Sequence, residues 1–275
     1  MDVLPRDIDV STGSTHTLDI AAQWLAKCKG SHATCSAGRH RDAKRLPTRV
    51  IDVGSSAQKP KLVETGAAIG CWAALSYCWG GNSSFILTSS SQSRFEEGTA
   101  LKDFPATLRD AIIIIRALGI SYLWIDALCI IQNSFGDWRR EAPRMKEVYS
   151  GADVVIAAAC AAELNAGIFR TRPAEDSIEL QWGCEARSDE APVLQAGDEP
   201  KQEEVQNQTI CLRRNHIPGV EETMGIRCSH WASRGWTMQE DFMATRLLVF
   251  QDQTVTWECL SKAEKEDGTD EPGPT

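Results

Sequence analysis

The sequence predicts an α/β fold in which helices flank a mostly parallel sheet. Residues 108–118 are apolar almost all round, end at Gly119, and precede a short buried strand at residues 122–126. Residues 137–150 repeat the helical spacing and precede an apolar strand at residues 153–160. Alternating helices and buried strands favour a parallel sheet that is covered on both faces.

Two residues set the expected limits of these helices. Thr107 is the expected N-cap of the first helix, because its hydroxyl can accept a hydrogen bond from an unpaired backbone N–H. Pro143 lies inside the second helical pattern, where a proline costs about 3 kcal/mol. The second helix is therefore expected to kink at Pro143 or to begin near Ala142.

An N-terminal helix and a β-hairpin are predicted to precede this core. Residues 18–28 place their apolar side chains on one helical stripe, after Thr17 as a possible cap. The β-rich runs TRVIDVG and KLVET, at residues 48–54 and 61–65, are separated by a Gly/Ser/Pro-containing loop that is typical of a hairpin. The first strand of the main sheet is expected at residues 72–77.

The periodic signal fades between residues 162 and 230, where an acidic, Pro-containing stretch indicates an inserted surface excursion. A short helix near residues 236–244 and two strands, at residues 246–250 and 255–259, are expected after it. The expected divisions are an N-terminal extension packed on the core at 1–70, the main domain at 71–260, and a disordered tail at 261–275.

Composition restricts the classes of partner. The 275-residue chain is 42% hydrophobic, enough to bury a large core, and its net charge of −9 opposes binding to nucleic acid and to anionic membranes. The first thirty residues lack a secretory signal, so we expect a cytoplasmic protein. Most of the ten cysteines are interpreted as buried thiols rather than disulfides, including Cys71, Cys78, Cys129, Cys160 and Cys259.

The motif SYCWGG follows the first core strand at the strand end where open α/β sheets bind ligands. Ser76 and Tyr77 supply hydroxyls, and Trp79 offers an aromatic face for a base or a nicotinamide ring. Gly80 and Gly81 allow the backbone to approach a phosphate or a ribose. A tight strand-to-helix turn with a packed tryptophan explains the motif equally well.

The motif WIDALCIIQ ends the next strand with Asp126 and continues through Cys129 and Gln132. A buried carboxylate needs a hydrogen-bond donor, so Asp126 is expected either to support the loops or to contact substrate. Cys129 is a weak nucleophile candidate, because an apolar setting raises a thiol pKa. The candidate donors to Asp126 are Arg109, Arg234 and Arg246.

A cysteine and histidine cluster lies near the N terminus. Cys28, His32, Cys35 and His40 have the spacing C-x3-H-x2-C-x4-H, which could close around zinc in a compact loop. The spacing matches no strict zinc module, and an ordinary helix end is the alternative. No tightly bound cofactor is expected.

Three blocks of the sequence resemble the fungal heterokaryon incompatibility (HET) family, in the order in which that family carries them. They are ALSYCWGG at residues 74–81, the run from TLRDAIIII to GADVVIAAA, and SRGWTMQEDFMATRLLVF. The likeness extends over most of residues 24–259. It implies an effector of non-self recognition and programmed cell death, part of fungal innate immunity. It also implies a homo-oligomer that responds to an upstream sensor protein or domain.

A more distant likeness to TIR domains implies a TIR-like, flavodoxin-like fold. LSY at residues 75–77 resembles the end of the first TIR strand, and SRGWTMQE resembles the TIR pattern Trp-Cys-Leu-x-Glu, with Thr237 replacing the cysteine. Many TIR domains use that glutamate to cleave NAD, which implies Glu240 as the catalytic residue and NAD or a related nucleotide as the substrate. Trp236 is then either a core anchor or a stacking partner.

A carboxylate beside the ribose would stabilise the positive charge that develops when an N-glycosidic bond breaks. An exposed glutamate near the start of a helix is the alternative interpretation of Glu240. Three functions follow: an NAD glycohydrolase, a non-catalytic death-signalling domain that acts by oligomerisation, or a fold recruited for small-molecule biosynthesis.

Overall fold

The computed structural model divides the chain into two compact units, Met1–Arg172 with Glu221–Thr275, and Pro173–Val220. Each unit is described by itself. The residues that the structure describes are 8–37, 44–55, 57–80, 84–172, 177–183, 207–213, 243–268 and 270–271.

The described residues form helices and strands with the following bounds. The helices are α1 (Thr15–Ser31), α2 (Ala33–Ala37), α3 (Gln92–Glu97), α4 (Ala106–Ala117), α5 (Asp126–Cys129), α6 (Phe135–Glu141) and α7 (Met145–Gly151). The strands are β1 (Arg49–Asp52), β2 (Lys61–Glu64), β3 (Ala73–Ser76), β4 (Tyr122–Trp124), β5 (Val154–Ala158), β6 (Ser177–Gly183), β7 (Asn207–Arg213), β8 (Arg246–Phe250), β9 (Val255–Cys259), β10 (Ala263–Lys265) and β11 (Asp270–Glu271).

The larger unit contains a nine-stranded sheet in the order β11-β10-β9-β8-β5-β3-β4-β1-β2. Its centre, β4-β3-β5-β8, is parallel, and antiparallel strands extend it on both sides. Every residue of β3, β5 and β8 is buried, as expected for parallel strands that are covered on both faces. The predicted α/β class is confirmed, together with the N-terminal helix and the β1–β2 hairpin.

The order of the parallel strands creates a topological switch point. The chain passes from β3 to β4 on one side of β3, and then crosses to β5 on the other side. This is the order of flavodoxin-like sheets, in which ligands bind outside the carboxyl ends of the first and third strands. The loops after β3 and β5 therefore lie where this architecture places a ligand.

The helix ends differ from the sequence-based expectation in two places. α1 is capped by Ser14, whose hydroxyl accepts the Thr17 N–H at 3.1 Å. Pro105 is the N-cap of α4, so Thr107 lies inside its first turn. The Thr107 hydroxyl donates to the Glu163 carbonyl and accepts the Gly167 N–H, each at 3.1 Å. Thr107 therefore anchors the loop after β5 instead of capping the helix.

Pro143 interrupts the second helical segment, as the sequence predicts. α6 ends at Glu141, a 3-10 turn covers Ala142–Arg144, and α7 begins at Met145. The break avoids placing a proline where its missing N–H would open a hydrogen bond of a continuous helix.

The smaller unit contains an antiparallel pair of β6 and β7, in register from Ser177 opposite Arg213 to Gly183 opposite Asn207. This pair lies within the predicted excursion. Most of the helix predicted at residues 236–244 lies outside the described residues.

The C-terminal segment departs from the expected disordered tail. β10 pairs with β9, and the Glu266 side chain that follows is 1% exposed. Glu266 accepts two hydrogen bonds from Arg172, at 2.6 and 2.8 Å, and one from the Val255 N–H at 2.8 Å. Glu266, in an acidic segment that looks solvated in the sequence, is thus held by an arginine that is distant in the chain.

None of the described helices has both the length and the apolar character needed to span a membrane.

A buried ion pair connects the hairpin to α6. The Arg49 guanidinium on β1 pairs with the Asp137 carboxylate, and the two side chains are 2% and 3% exposed. Asp137 also accepts hydrogen bonds from Arg140 and from the Ile131 N–H, the latter at 2.8 Å. Removing the carboxylate charge would leave Arg49 buried without its counter-charge.

We expect Asp137→Asn to lower the free energy of unfolding by about 3–5 kcal/mol, the usual effect of breaking a buried ion pair from one side. Chemical denaturation measures the change. The exposed Asp103→Asn is the matched control, because it makes the same chemical change at the surface. A loss no larger than that of the control would contradict the importance of this pair.

Candidate functional site

Three loops meet at the carboxyl edge of the parallel strands. Ala74 of β3 lies opposite Trp124 of β4, and Ser76 lies opposite Ala157 of β5. The segments that follow these strands are residues 77–80, 126–132 and 159–168, and they begin at the same level of the sheet. The two sequence motifs that were expected to bind ligand therefore lie at one edge.

A hydrogen bond ties two of these loops together. The Trp79 indole N–H donates to Asp126 Oδ2 at 2.8 Å, and both residues are half-buried. The other carboxylate oxygen accepts the Ala127 N–H at 2.7 Å. Of the expected arginine donors, Arg109 instead pairs with Asp110, and Arg246 lies at the opposite edge. Arg234 lies outside the described residues.

The SYCWGG motif divides into a buried part and an accessible part. Ser76 and Tyr77 are buried, whereas Trp79 is half-buried and Gly80 is exposed. Among the described residues of this motif, Trp79 and Gly80 are thus the ones that a ligand can reach directly. Gly81 lies outside the described residues.

Gly80 allows the loop after β3 to approach the loop after β5. Its φ of +75° is strained for other residues, and a Cβ there would lie 2.9 Å from Glu163 Cβ. Glu163 is exposed and lies in the loop after β5, so a carboxylate lies at the switch point. Sequence reasoning missed Glu163, because it belongs to no motif and only the strand order reveals its position.

The N-terminal part of α4 holds the loop after β5 in place. The Asp110 carboxylate, 4% exposed, accepts the Ile168 N–H at 2.9 Å and the Phe169 N–H at 3.3 Å. Arg109 donates to the other oxygen of the same carboxylate at 3.1 and 3.2 Å. Arg109 therefore lies at this edge, where it pairs with Asp110, the carboxylate that holds the loop.

Cys129 and Gln132 shape the turn that follows Asp126. Burial raises the pKa of the Cys129 thiol to about 12, and its sulfur accepts the Ile125 N–H at 3.5 Å. The thiol is protonated at neutral pH and is a poor nucleophile. The Gln132 amide donates to the Asp126 carbonyl at 3.0 Å and to the Ile130 carbonyl at 2.9 Å.

A cluster of three cysteines and one histidine lies at the amino edge of the parallel strands. Its members are Cys28, His32, Cys35 and Cys259, and their ligand atoms all lie within 4.8 Å of one another. Cys259 joins three of the four residues that the sequence indicated, and the fourth, His40, lies outside the described residues. Cys259 was expected to be an ordinary core thiol, and sequence reasoning missed its role because it is far from the other three in the chain. Cys71, also expected to be buried, is exposed.

Arg246 belongs to this cluster and not to the carboxyl edge. It is the first residue of β8 and pairs in register with Cys259. Its guanidinium donates to Cys28 Sγ at 3.1 Å and to the carbonyls of Asp153 and Cys35 at 3.3 and 3.4 Å. Hydrogen bonding from Cys28 lowers the pKa of the Cys259 thiol.

Two residues of the expected site, Trp236 and Glu240, lie outside the described residues. Of the described candidates, Arg246 lies at the amino edge of the sheet. The others lie in one region at the carboxyl edge: Ser76, Tyr77, Trp79, Gly80, Asp126, Cys129, Gln132 and Arg109.

Comparison with known proteins gives one match. The family model described as Heterokaryon incompatibility protein (HET) matches residues 72–240, more than half of the chain. The matched segment contains the Trp79 loop, the Asp126 turn and the loop after β5. No curated protein and no solved structure matched the chain.

We expect the Trp79–Asp126 hydrogen bond to contribute about 1 kcal/mol, less than a fully buried charge-assisted bond because both residues are half-exposed. A double-mutant cycle of Trp79→Phe and Asp126→Ala, measured by chemical denaturation, isolates that term. Trp138→Phe combined with Asp126→Ala is the control, since Trp138 donates no hydrogen bond to Asp126. Additive effects in the Trp79 cycle would show that the bond does not hold the loops.

Proposed function

Because the chain belongs to the heterokaryon incompatibility (HET) family, we propose that it is an effector of fungal non-self recognition that cleaves NAD. Family membership implies a role in heterokaryon incompatibility and the cell death that accompanies it. The finer part of the proposal is the reaction, hydrolysis of the bond between nicotinamide and ribose. Loss of NAD would then cause the death response.

The observation that supports this reaction best is the meeting of the Trp79 and Glu163 loops at the switch point. This is where flavodoxin-like sheets bind nucleotides. The half-buried Trp79 ring offers a face for an adenine or nicotinamide ring, and Gly80 lets the backbone come close to a ribose or a phosphate. Asp126 accepts the indole N–H and so fixes the orientation of the ring that would stack on the ligand.

The reaction needs little more than a nucleotide pocket and one carboxylate. When the C1′–N bond breaks, the electron pair goes to the pyridinium nitrogen, so nicotinamide leaves as a neutral molecule without a general acid. Positive charge develops on the ribose, and a nearby carboxylate stabilises it. Water then adds to C1′ and loses a proton to solvent or to the carboxylate, which gives ADP-ribose. Glu240 is proposed for this role from the TIR resemblance.

The direct test is incubation of the purified chain with NAD while free nicotinamide is measured. We expect Glu240→Gln to lower kcat at least about 100-fold, the usual effect of removing one transition-state charge partner. Glu64→Gln is the matched control, because it makes the same change at an exposed position of β2. Glu163→Gln tests the exposed carboxylate in the loop after β5, and we expect it to lower kcat less than Glu240→Gln does.

Three results would contradict the proposal in different ways. Full activity of Glu240→Gln with loss of activity in Glu163→Gln would transfer the catalytic role to Glu163. No nicotinamide from wild type, under conditions where the chain oligomerises, would exclude the hydrolase. A different product, detected by mass spectrometry, would indicate another small-molecule reaction.

One observation favours a second candidate, a non-catalytic domain that signals by self-association. Phe135 and Trp138 on α6 are 74% and 50% exposed, and their rings stack with centroids 6.3 Å apart. Exposed neighbouring aromatic rings are typical of protein interfaces. We propose that this pair contacts a second copy of the chain, so that an upstream sensor can activate the domain by clustering it.

Sedimentation velocity tests this second candidate. We expect Trp138→Ala to shift the chain from oligomer to monomer, whereas Leu260→Ala, an equally exposed apolar position elsewhere, leaves the distribution unchanged. Identical distributions of wild type and Trp138→Ala would exclude the aromatic pair as the interface. The non-catalytic function would be favoured if Trp138→Ala loses its oligomers and the wild-type chain does not cleave NAD.

A further inference from the structure

The cysteine and histidine cluster joins the two ends of the described chain. Cys28 lies in the last turn of α1, His32 is its C-cap, and Cys35 lies in α2. Cys259 ends β9, at the tight turn that leads into β10. All four residues lie outside the segment matched by the family model, residues 72–240, so that match assigns them no role.

The separations between the ligand atoms suit a single tetrahedral ion. Zinc–sulfur bonds of about 2.3 Å and zinc–nitrogen bonds of about 2.0–2.1 Å give a tetrahedron with edges of about 3.5–3.8 Å. His32 Nδ1 lies 3.4 Å from Cys259 Sγ and 4.0 Å from Cys35 Sγ. All pairs lie within 4.8 Å, so shifts of a few tenths of an ångström to about one ångström would complete the site.

Most of the cluster is buried. Cys28, Cys35 and Cys259 are buried, and His32 is half-buried. The three cysteines are free thiols. Buried sites with four protein ligands are typical of structural zinc, whereas catalytic zinc keeps one position open for water or substrate.

Arg246 supplies an independent electrostatic argument. Its guanidinium is 4% exposed and lies 3.1 Å from Cys28 Sγ. Within the described part of the chain it forms no ion pair with a carboxylate, and its other acceptors are two backbone carbonyls. A buried cation needs a nearby anion, and the sulfur cluster can provide one.

We propose that Cys28, His32, Cys35 and Cys259 bind one Zn²⁺ ion in a structural site. Three thiolates and a neutral imidazole around Zn²⁺ carry a net charge of about −1, which the Arg246 guanidinium balances. Three sulfurs and one nitrogen in tetrahedral reach favour zinc over Mg²⁺ or Ca²⁺, which take oxygen ligands. The ion fastens α1 and α2 to the β9–β10 turn.

The role of the ion follows from the position of its ligands. Cys35 and Cys259 are far apart in sequence, so the ion closes a long loop of the chain. Metal binding to such a site contributes directly to folding, because the ligands converge only in the folded state. The ion therefore holds the N-terminal helices against the C-terminal strands, remote from the carboxyl edge.

The first test is to purify the full chain without chelators and to measure its metal content by elemental mass spectrometry. We expect one zinc per chain. Replacement by Co²⁺ should produce the absorption bands of a tetrahedral cobalt–thiolate site. Cys259→Ser should weaken Co²⁺ binding by more than about 100-fold, beyond the 10- to 100-fold effect of losing an outer-shell partner. Cys71→Ser, an exposed cysteine outside the cluster, should bind Co²⁺ as wild type does.

Thiol labelling of the wild-type chain keeps the test independent of whether the variant folds. We expect Cys28, Cys35 and Cys259 to resist maleimide until EDTA removes the ion, and thermal unfolding to occur at lower temperature after EDTA treatment. Any of four results would overturn the proposal. These are a chain that takes up no zinc on reconstitution, iron in place of zinc, a disulfide among the three cysteines, or cobalt bands that persist in a folded Cys259→Ser variant.

Discussion

The hydrogen-bond register of the four parallel strands determines which side chains of this protein can meet. Ser76 lies opposite Ala157, and Ala74 lies opposite Trp124, so the loops that follow β3, β4 and β5 emerge together. A slip of one residue in β3 would turn its buried side chains to the other face and separate Trp79 from Asp126. Because every residue of β3 and β5 is buried, the covering helices resist such a slip.

The two edges of the parallel core carry different kinds of side chain. The carboxyl edge carries the accessible groups, Trp79, Gly80 and Glu163, as expected where strand order reverses. The amino edge carries Arg246 and the buried thiols, which connect elements distant in sequence. One edge is thus suited to ligand binding and the other to holding the chain ends together, so a substitution at either edge should affect a different property.

The sequence predicts elements whose cause is local and misses groups whose partners are distant. Pro143 breaks its helix, and apolar runs give β3, β5 and β8, because each signal lies within a few residues. Glu266 looked solvated, since its partner Arg172 is remote in sequence. Cys259 and Glu163 were missed for the same reason, because the strand pairing that brings them to their neighbours is a tertiary property.

Amide hydrogen exchange with and without ADP-ribose most directly tests the proposed nucleotide site at the carboxyl edge of the β3–β5 switch point. The account predicts slower exchange in residues 77–80 and 159–168, with no change around Cys28 and Cys35, because ligand contact suppresses local opening of the loops that it touches. Unchanged exchange in both loops at saturating ligand, or protection confined to the amino edge, would contradict it.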